Sequence, residues 1–237
     1  MLLVIDILPS GHLLCPYAVV CFGMLTLHGI FTFILAMVSG LIISMASLFI
    51  GRKFCSYICF LGTLQEYIYR FNRKYRYKQI IPQKLHKILS QLKYVVLVLT
   101  AYLAFSGTQF IYMRYCPVLR LAHPYHLTLS AALFFLILLI GCLFIERFWC
   151  RYLCPYAALM NLWQYLGKLL GVPRKMIIRN LDSSLDCRNC KNYCPMHLDL
   201  SSMNIISSVD CIHCLRCVRT CFRAGPGKEA CLYQDDL

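Results

Sequence analysis

Charge is absent from long stretches of this chain. No Asp, Glu, Lys or Arg occurs from Ile7 to Gly51, from Tyr94 to Met113 or from Leu121 to Ile145, and the 237 residues are 59% hydrophobic with mean hydropathy +0.62. That composition argues against an ordinary soluble fold. Because a helix needs roughly 20 apolar residues to cross a bilayer, it predicts membrane spans at 30 to 50, 94 to 112 and 127 to 145. The sequence also lacks a glycine loop of the phosphate-cradling kind and any arrangement resembling a serine triad. No basic n-region precedes the first apolar stretch, so a signal peptide is not expected there.

Where charge does occur it is mostly positive, and the formal net charge is +14. Lys and Arg collect between Arg52 and Lys93 and between Arg147 and Arg179, while the first 50 residues have none. This distribution argues for topology and against nucleic acid. The positive-inside rule places 51 to 93 and everything after 146 in the cytoplasm, as a multi-pass protein of the cytoplasmic membrane. The run Arg73, Lys74, Arg76, Lys78 also suits an acidic soluble electron carrier or anionic headgroups. Pro9, Gly11 and Pro16 interrupt the first uncharged stretch, so a surface or re-entrant helix is expected near 13 to 28. A fourth span at about 8 to 27 is the alternative.

A shift of 95 residues superposes Leu48, Phe49, Ile50, Arg52, Cys55, Tyr57, Cys59 and Leu64 on Leu143, Phe144, Ile145, Arg147, Cys150, Tyr152, Cys154 and Leu159. Shared hydrophobicity does not explain a matching arginine, tyrosine and pair of cysteines, so the pattern is a tandem duplication. Each copy has a Cys-Pro element (Cys15-Pro16, Cys116-Pro117), an inward span and a C-x3-C motif. The span at 94 to 112 introduces the second copy, whereas only fourteen residues precede Cys15. A first helix is therefore expected to be missing, truncated or supplied by another chain.

The strongest chemical signal lies after residue 186. Cys211, Cys214, Cys217 and Cys221 follow C-x2-C-x2-C-x3-C, the spacing with which three thiolates wrap one [4Fe–4S] cube while the fourth reaches a second cube. Cys187, Cys190 and Cys194-Pro195 look like the same motif short of one member. In the crossed ferredoxin pattern, Cys194 joins Cys211, Cys214 and Cys217. Cys187, Cys190 and Cys221 then hold the second cube, with Cys231 the candidate fourth ligand and a three-iron cluster or an oxygen ligand the alternative. Zinc sites usually separate two C-x2-C pairs by a spacer, and disulfides are rare on a reducing side.

In the repeats, C-x3-C within a helix sets both sulfurs on one face. Pseudo-symmetry then brings Cys55, Cys59, Cys150 and Cys154 together, with Cys15 and Cys116 as further candidates. Soft thiolates suit an iron–sulfur cluster, copper(I) or zinc, and spacing alone does not choose. Arg52, Lys53, Arg147 and Arg151 are expected to lower the thiol pKa values.

At these motifs the chain resembles the membrane-bound polyferredoxins, which include the ferredoxin-type quinol dehydrogenase subunit of periplasmic nitrate reduction, the nitrous-oxide-reductase regulator and a copper-reducing oxidase assembly protein. The resemblance is carried by His12-Leu13-Leu14-Cys15-Pro16-Tyr17, by Gly51-Arg52-Lys53-Phe54-Cys55 through Cys59, Gly62, Leu64 and Gln65, by Arg147 through Cys150 to Cys154-Pro155, and by the tail motifs. Phe60 stands where the family has proline. The resemblance implies electron transfer beside an FMN-binding or cytochrome partner.

These readings give a mainly α fold. A polytopic helical membrane domain of three or four spans occupies 1–176, with repeats at about 13–70 and 113–166, and a two-cluster ferredoxin-like α+β domain occupies 177–237 in the cytoplasm. The expected function is an electron-transfer subunit of an oxidoreductase complex, working between a cytoplasmic donor or quinone and a membrane or extracytoplasmic partner. A copper reductase or metalloprotein assembly factor is the rival reading.

Overall fold

The computed structural model describes residues 38, 42, 45–72, 81–106, 115–117, 128–172, 175–179, 192–198, 205–206, 208–223 and 231–235. Along the chain these give α1 (Lys53–Tyr57), α2 (Phe60–Phe71), α3 (Gln83–Phe105), α4 (Leu129–Phe144), α5 (Phe148–Tyr152), α6 (Pro155–Leu169), β1 (Lys175–Arg179), β2 (Ile205–Ile206), α7 (Arg216–Arg223) and β3 (Cys231–Asp235).

Each C-x3-C motif is split between two helices. Cys55 and Cys150 lie on the short α1 and α5, and Cys59 and Cys154 are the extended N-cap residues of α2 and α6, at φ −66°, ψ 109° and φ −72°, ψ 111°. Pro155 explains the second break, because a residue before proline is driven out of the helical region and proline suits the first helical turn. Phe60 imposes no such restraint, yet the first motif has the same backbone. The N–H groups of Ile58 and Cys59 both donate to the Phe54 carbonyl at 3.0 Å, as those of Leu153 and Cys154 donate to Trp149 at 2.9 Å. The duplication therefore extends to individual hydrogen bonds. A single helix with both sulfurs one turn apart is corrected: the second sulfur of each pair sits at a helix start, beside amides that have no partner within the helix.

Packing follows the buried stripes. Leu61, Gln65 and Tyr69 recur every fourth residue on the inner face of α2, which rests on α4, while α3 rests on α5 and α6. The three strands form an antiparallel sheet in the order β2-β1-β3, with Ile177 of β1 opposite Ile206 and Tyr233. Ile177 is buried in the same core as Cys55, Tyr156, Met160, Cys194, Met196, Cys211 and Ile212. The sheet and the cysteine motif of the tail thus pack directly on the repeats.

The expectation of a polytopic membrane domain is corrected. Among the described residues no helix is long and apolar enough to cross a membrane. Helix α3 has 23 residues, but Lys84, Lys87 and Lys93 occupy its first part and leave an uncharged end of about 18 Å. Helix α4 has 16 residues, about 24 Å, against a hydrocarbon layer of about 30 Å. The span at 30 to 50 falls largely outside the described residues. Placement as a multi-pass protein of the cytoplasmic membrane, with the tail in the cytoplasm, rested on these spans and is corrected with them.

Candidate functional site

Four cysteines of the tail surround one hollow. Cys194, Cys211, Cys214 and Cys217 line this hollow, partly open to solvent, together with Ile177, Met196 and Arg216. The loop winds tightly enough to put His213 and Leu215 in the left-handed region, at φ 51° and 56°. Amides aimed at the sulfurs accompany this winding. The N–H groups of His213 and Arg216 favour the thiolate forms of Cys211 and Cys214, and those of Leu198 and Met196 do so at Cys194.

The four repeat cysteines converge through a reciprocal exchange of contacts. From the first copy, Gln65 donates to the Cys150 sulfur at 3.3 Å and Glu66 pairs with Arg147 at 2.5 Å. From the second copy, the residues at the same positions answer: the Met160 sulfur lies 3.7 Å from that of Cys55, and Arg52 donates to Asn161 at 3.3 Å. Each copy thus reaches across to the cysteine helix of the other. Cys154 packs against both buried clusters, one containing Cys55 and Cys211 and the other Cys150 and Trp149. Even so, among the described residues no three His, Cys, Asp or Glu side chains are grouped to hold a single metal ion.

Ion pairs fasten the tail to this site. Asp210, the residue before Cys211, accepts from Arg52 at 3.1 Å, from Asn161 at 2.8 Å and from Lys93. Arg216, the residue before Cys217, pairs with both Glu66 and Glu146 at 2.5 Å. Those two glutamates are the only carboxylates in the sequence between Ile7 and Leu181. Arg151 donates to the Pro195 carbonyl, and the His197 ring stacks on His86 at 4.9 Å. Gly51, at φ 66°, lets the chain pass so close that a Cβ there would lie 2.7 Å from the His213 ring.

Charge and hydrogen-bond capacity are both in surplus on the donor side. Arg52, Lys93, Arg147 and Arg216 pair with just three carboxylates, Asp210, Glu66 and Glu146, and Arg151 donates to the neutral Pro195 carbonyl. Arg52 Nε and Nη2, Arg151 Nε and Gln164 Nε2 are buried with no acceptor among the described residues. Buried donors without acceptors are costly, and an anionic group that accepts N–H bonds at sulfur relieves both imbalances. The residues present therefore fit thiolate-ligated iron–sulfur clusters.

Without metal, six of these thiols are held away from ionisation. Burial pushes Cys154 and Cys211 up to about 12 and Cys194 up to about 11, and it raises Cys59, Cys214 and, most strongly, Cys150. Neighbouring thiols add to the rise. Arg147 opposes it at Cys59 and Cys150, and Arg52 opposes it at Cys154 and Cys211. The expected acidification by arginines is corrected because desolvation outweighs it. Metal binding must therefore drive proton release from these cysteines.

Other candidates lie apart from these groups. Cys116 is buried beside Tyr115, whose ring packs on Phe134 of α4. Cys15, Cys187 and Cys190 fall outside the described residues. Cys221 lies on α7 and Cys231 opens β3, two elements that pack together, with Cys231 opposite Arg179 in the sheet register. Sequence reasoning missed the roles of Asp210, Glu66, Glu146, Gln65 and Asn161. The rarity of carboxylates in a basic chain was the available signal.

Comparison with known proteins finds similarity on the repeats. The 4Fe-4S binding domain family matches the chain twice, over residues 30–78 and 127–173, one match on each cysteine pair. YccM of Escherichia coli K12, provisionally assigned to electron transport, is 33% identical over 184 residues, which are 74% of this chain and 50% of YccM. Protein NirI of Paracoccus denitrificans is 32% identical over 190 residues, 74% of this chain and 26% of NirI. The uncharacterized MJ0749 of Methanocaldococcus jannaschii is 30% identical over 196 residues, 79% of this chain and 69% of its own length. The chain thus spans half the length of YccM and about a quarter of NirI. No solved structure matches it.

Proposed function

The chain belongs to the polyferredoxin family of 4Fe-4S binding, electron-transport proteins, and from that premise we propose that it carries two adjoining one-electron sites fixed in one packed core. Cys194, Cys211, Cys214 and Cys217 hold one group, and Cys55, Cys59, Cys150 and Cys154 hold the other. A [4Fe–4S] cluster, when bound, supplies one-electron chemistry at each. Cys187, Cys190 and Cys221, with Cys231 as fourth ligand, form a further site in the tail, a grouping supported by the packing of α7 on β3.

The observation that carries this reading is the shared core, in which Cys55, Cys194 and Cys211 are buried together and Cys154, Cys214 and Cys217 pack against them. Asp210 and Arg216 hold the two sites in register, and the surrounding cations favour electron-rich groups. A cluster is the reading preferred at the repeat cysteines, with a lone copper ion the rival, because the family model that describes 4Fe-4S binding matches both cysteine pairs. The chain exchanges electrons with other redox proteins. Its net charge of +14 favours an acidic soluble carrier as one of them.

Iron and acid-labile sulfide analysis of anaerobically prepared protein tests the assignment. About twelve irons are expected with two tail clusters and one in the repeats, and about eight after Cys55→Ala with Cys150→Ala. Equal iron in the two proteins overturns the repeat site.

A further inference from the structure

The duplication is imperfect at one position that touches a sulfur. Gln65 of α2 and Met160 of α6 are related by the same shift that pairs the cysteines, and both are 1% exposed. Each reaches across to the first cysteine of the other copy. Gln65 Nε2 lies 3.3 Å from the Cys150 sulfur, while Met160 offers Cys55 only a thioether at 3.7 Å. One sulfur therefore has an N–H donor where its counterpart has none from the equivalent side chain.

The orientation of the Gln65 amide is fixed by its other partners. Its Oε1 accepts the Trp149 backbone N–H at 2.9 Å, and its Nε2 also donates to the Leu61 carbonyl at 3.2 Å. Turning the amide over would set N–H against N–H at Trp149 and oxygen against oxygen at Leu61. The remaining N–H is thereby directed at sulfur. At the second cysteine of each pair the donors belong to the backbone, with Gly62 and Leu61 at Cys59 and Ala157 at Cys154. At Cys150 the donor is a side chain, which substitution can change without touching the fold of the loop.

Given the four-cysteine site already proposed, we propose that Gln65 raises the reduction potential of the redox group held by Cys55, Cys59, Cys150 and Cys154, by donating a hydrogen bond to the Cys150 sulfur. Met160 leaves Cys55 without an equivalent donor, so the two halves of the duplicated site are electronically unequal. Hydrogen bonds to cluster sulfurs stabilise the more negative, reduced state, and burial strengthens the effect because water does not compete. Gln65 is a positioning and tuning residue, with no electron or proton passing through it.

The test is a redox titration of the anaerobic full-length chain followed by EPR, with iron counted in every sample. Gln65→Met removes the donor to Cys150 without adding a charge and gives both halves the thioether that Met160 already supplies. It should lower the potential by about tenfold in the oxidised-to-reduced ratio at fixed poise, about 59 mV for one electron. Met160→Gln adds a donor at Cys55 and should shift the potential upward by a similar amount. If Gln65→Met loses its iron, Met160→Gln decides alone, and an unmoved potential there overturns the proposal. Full iron with unmoved potentials in both variants also overturns it, while leaving the four-cysteine site standing. A parent protein with no iron at these cysteines overturns that site and the proposal together.

Discussion

Asp210→Asn should detach the tail from the repeats. The carboxylate faces Arg52, which is fully buried, and Lys93, which is 1% exposed, and it also accepts from Asn161 at 2.8 Å. Replacing one partner of a buried ion pair leaves the other charge uncompensated, at about 3–5 kcal/mol. Because the Asp210 side chain is 27% exposed, water recovers part of this, and about 3 kcal/mol is the reasonable figure. For a chain of this length that corresponds to a Tm lower by about 6–12 °C. Thermal unfolding of the anaerobic holoprotein, followed by iron–sulfur absorbance, measures it. The structure also supplies a rescue. Asn161 sits where the first copy has Glu66, within reach of Arg52, so Asn161→Asp should lower stability alone by crowding Asp210 and should restore part of it in the Asp210→Asn background. A Tm unchanged by Asp210→Asn, or additive losses in the double variant, would refute the reasoning.

Other consequences are open to measurement. Cys214→Ala should remove one four-iron EPR signal and destabilise the tail, since metal binding contributes to the folding of the loop that carries these cysteines; an unchanged spectrum would contradict the pocket assignment. Gly51→Ala places a methyl group against the His213 ring and strains a positive φ, so a loss of about 2 kcal/mol and faster proteolysis of the tail are expected. His86 is held down to about 4 by burial and then by Arg151, against an ordinary value of 6.5. The unfolded state therefore binds more protons between these values, and stability should fall as pH drops from about 6.5 to 4. His86→Phe should flatten that part of the pH profile, as read from denaturant midpoints.

Identity at matched positions carries most of what was legible in the sequence. Arg52 and Arg147, and the two cysteine pairs, are chemically distinctive enough to reveal the duplication, and the structure extends it to matching hydrogen bonds at Phe54 and Trp149. Spacing likewise names Cys194 with Cys211, Cys214 and Cys217, which line one pocket. Spacing does not reveal a helix break: C-x3-C fits one helical turn, and only Pro155 hints that the second cysteine is an N-cap. Hydropathy misleads over α3 because the window that reads as a span begins immediately after Lys93, a buried cation within the same helix. The clamps at Asp210 and Arg216 join residues about 70 to 158 positions apart, beyond any local pattern. Thiol ionisation is also invisible to local sequence, since burial overrides adjacent arginines.

On this reading the repeat cysteines and the tail cysteines hold redox groups close enough to communicate. EPR of the fully reduced, anaerobically prepared chain tests this directly. Magnetic interaction between the two sets of signals is predicted, and it should disappear in Cys150→Ala while the tail signals remain. A spectrum that is a simple sum of isolated clusters would contradict this reading.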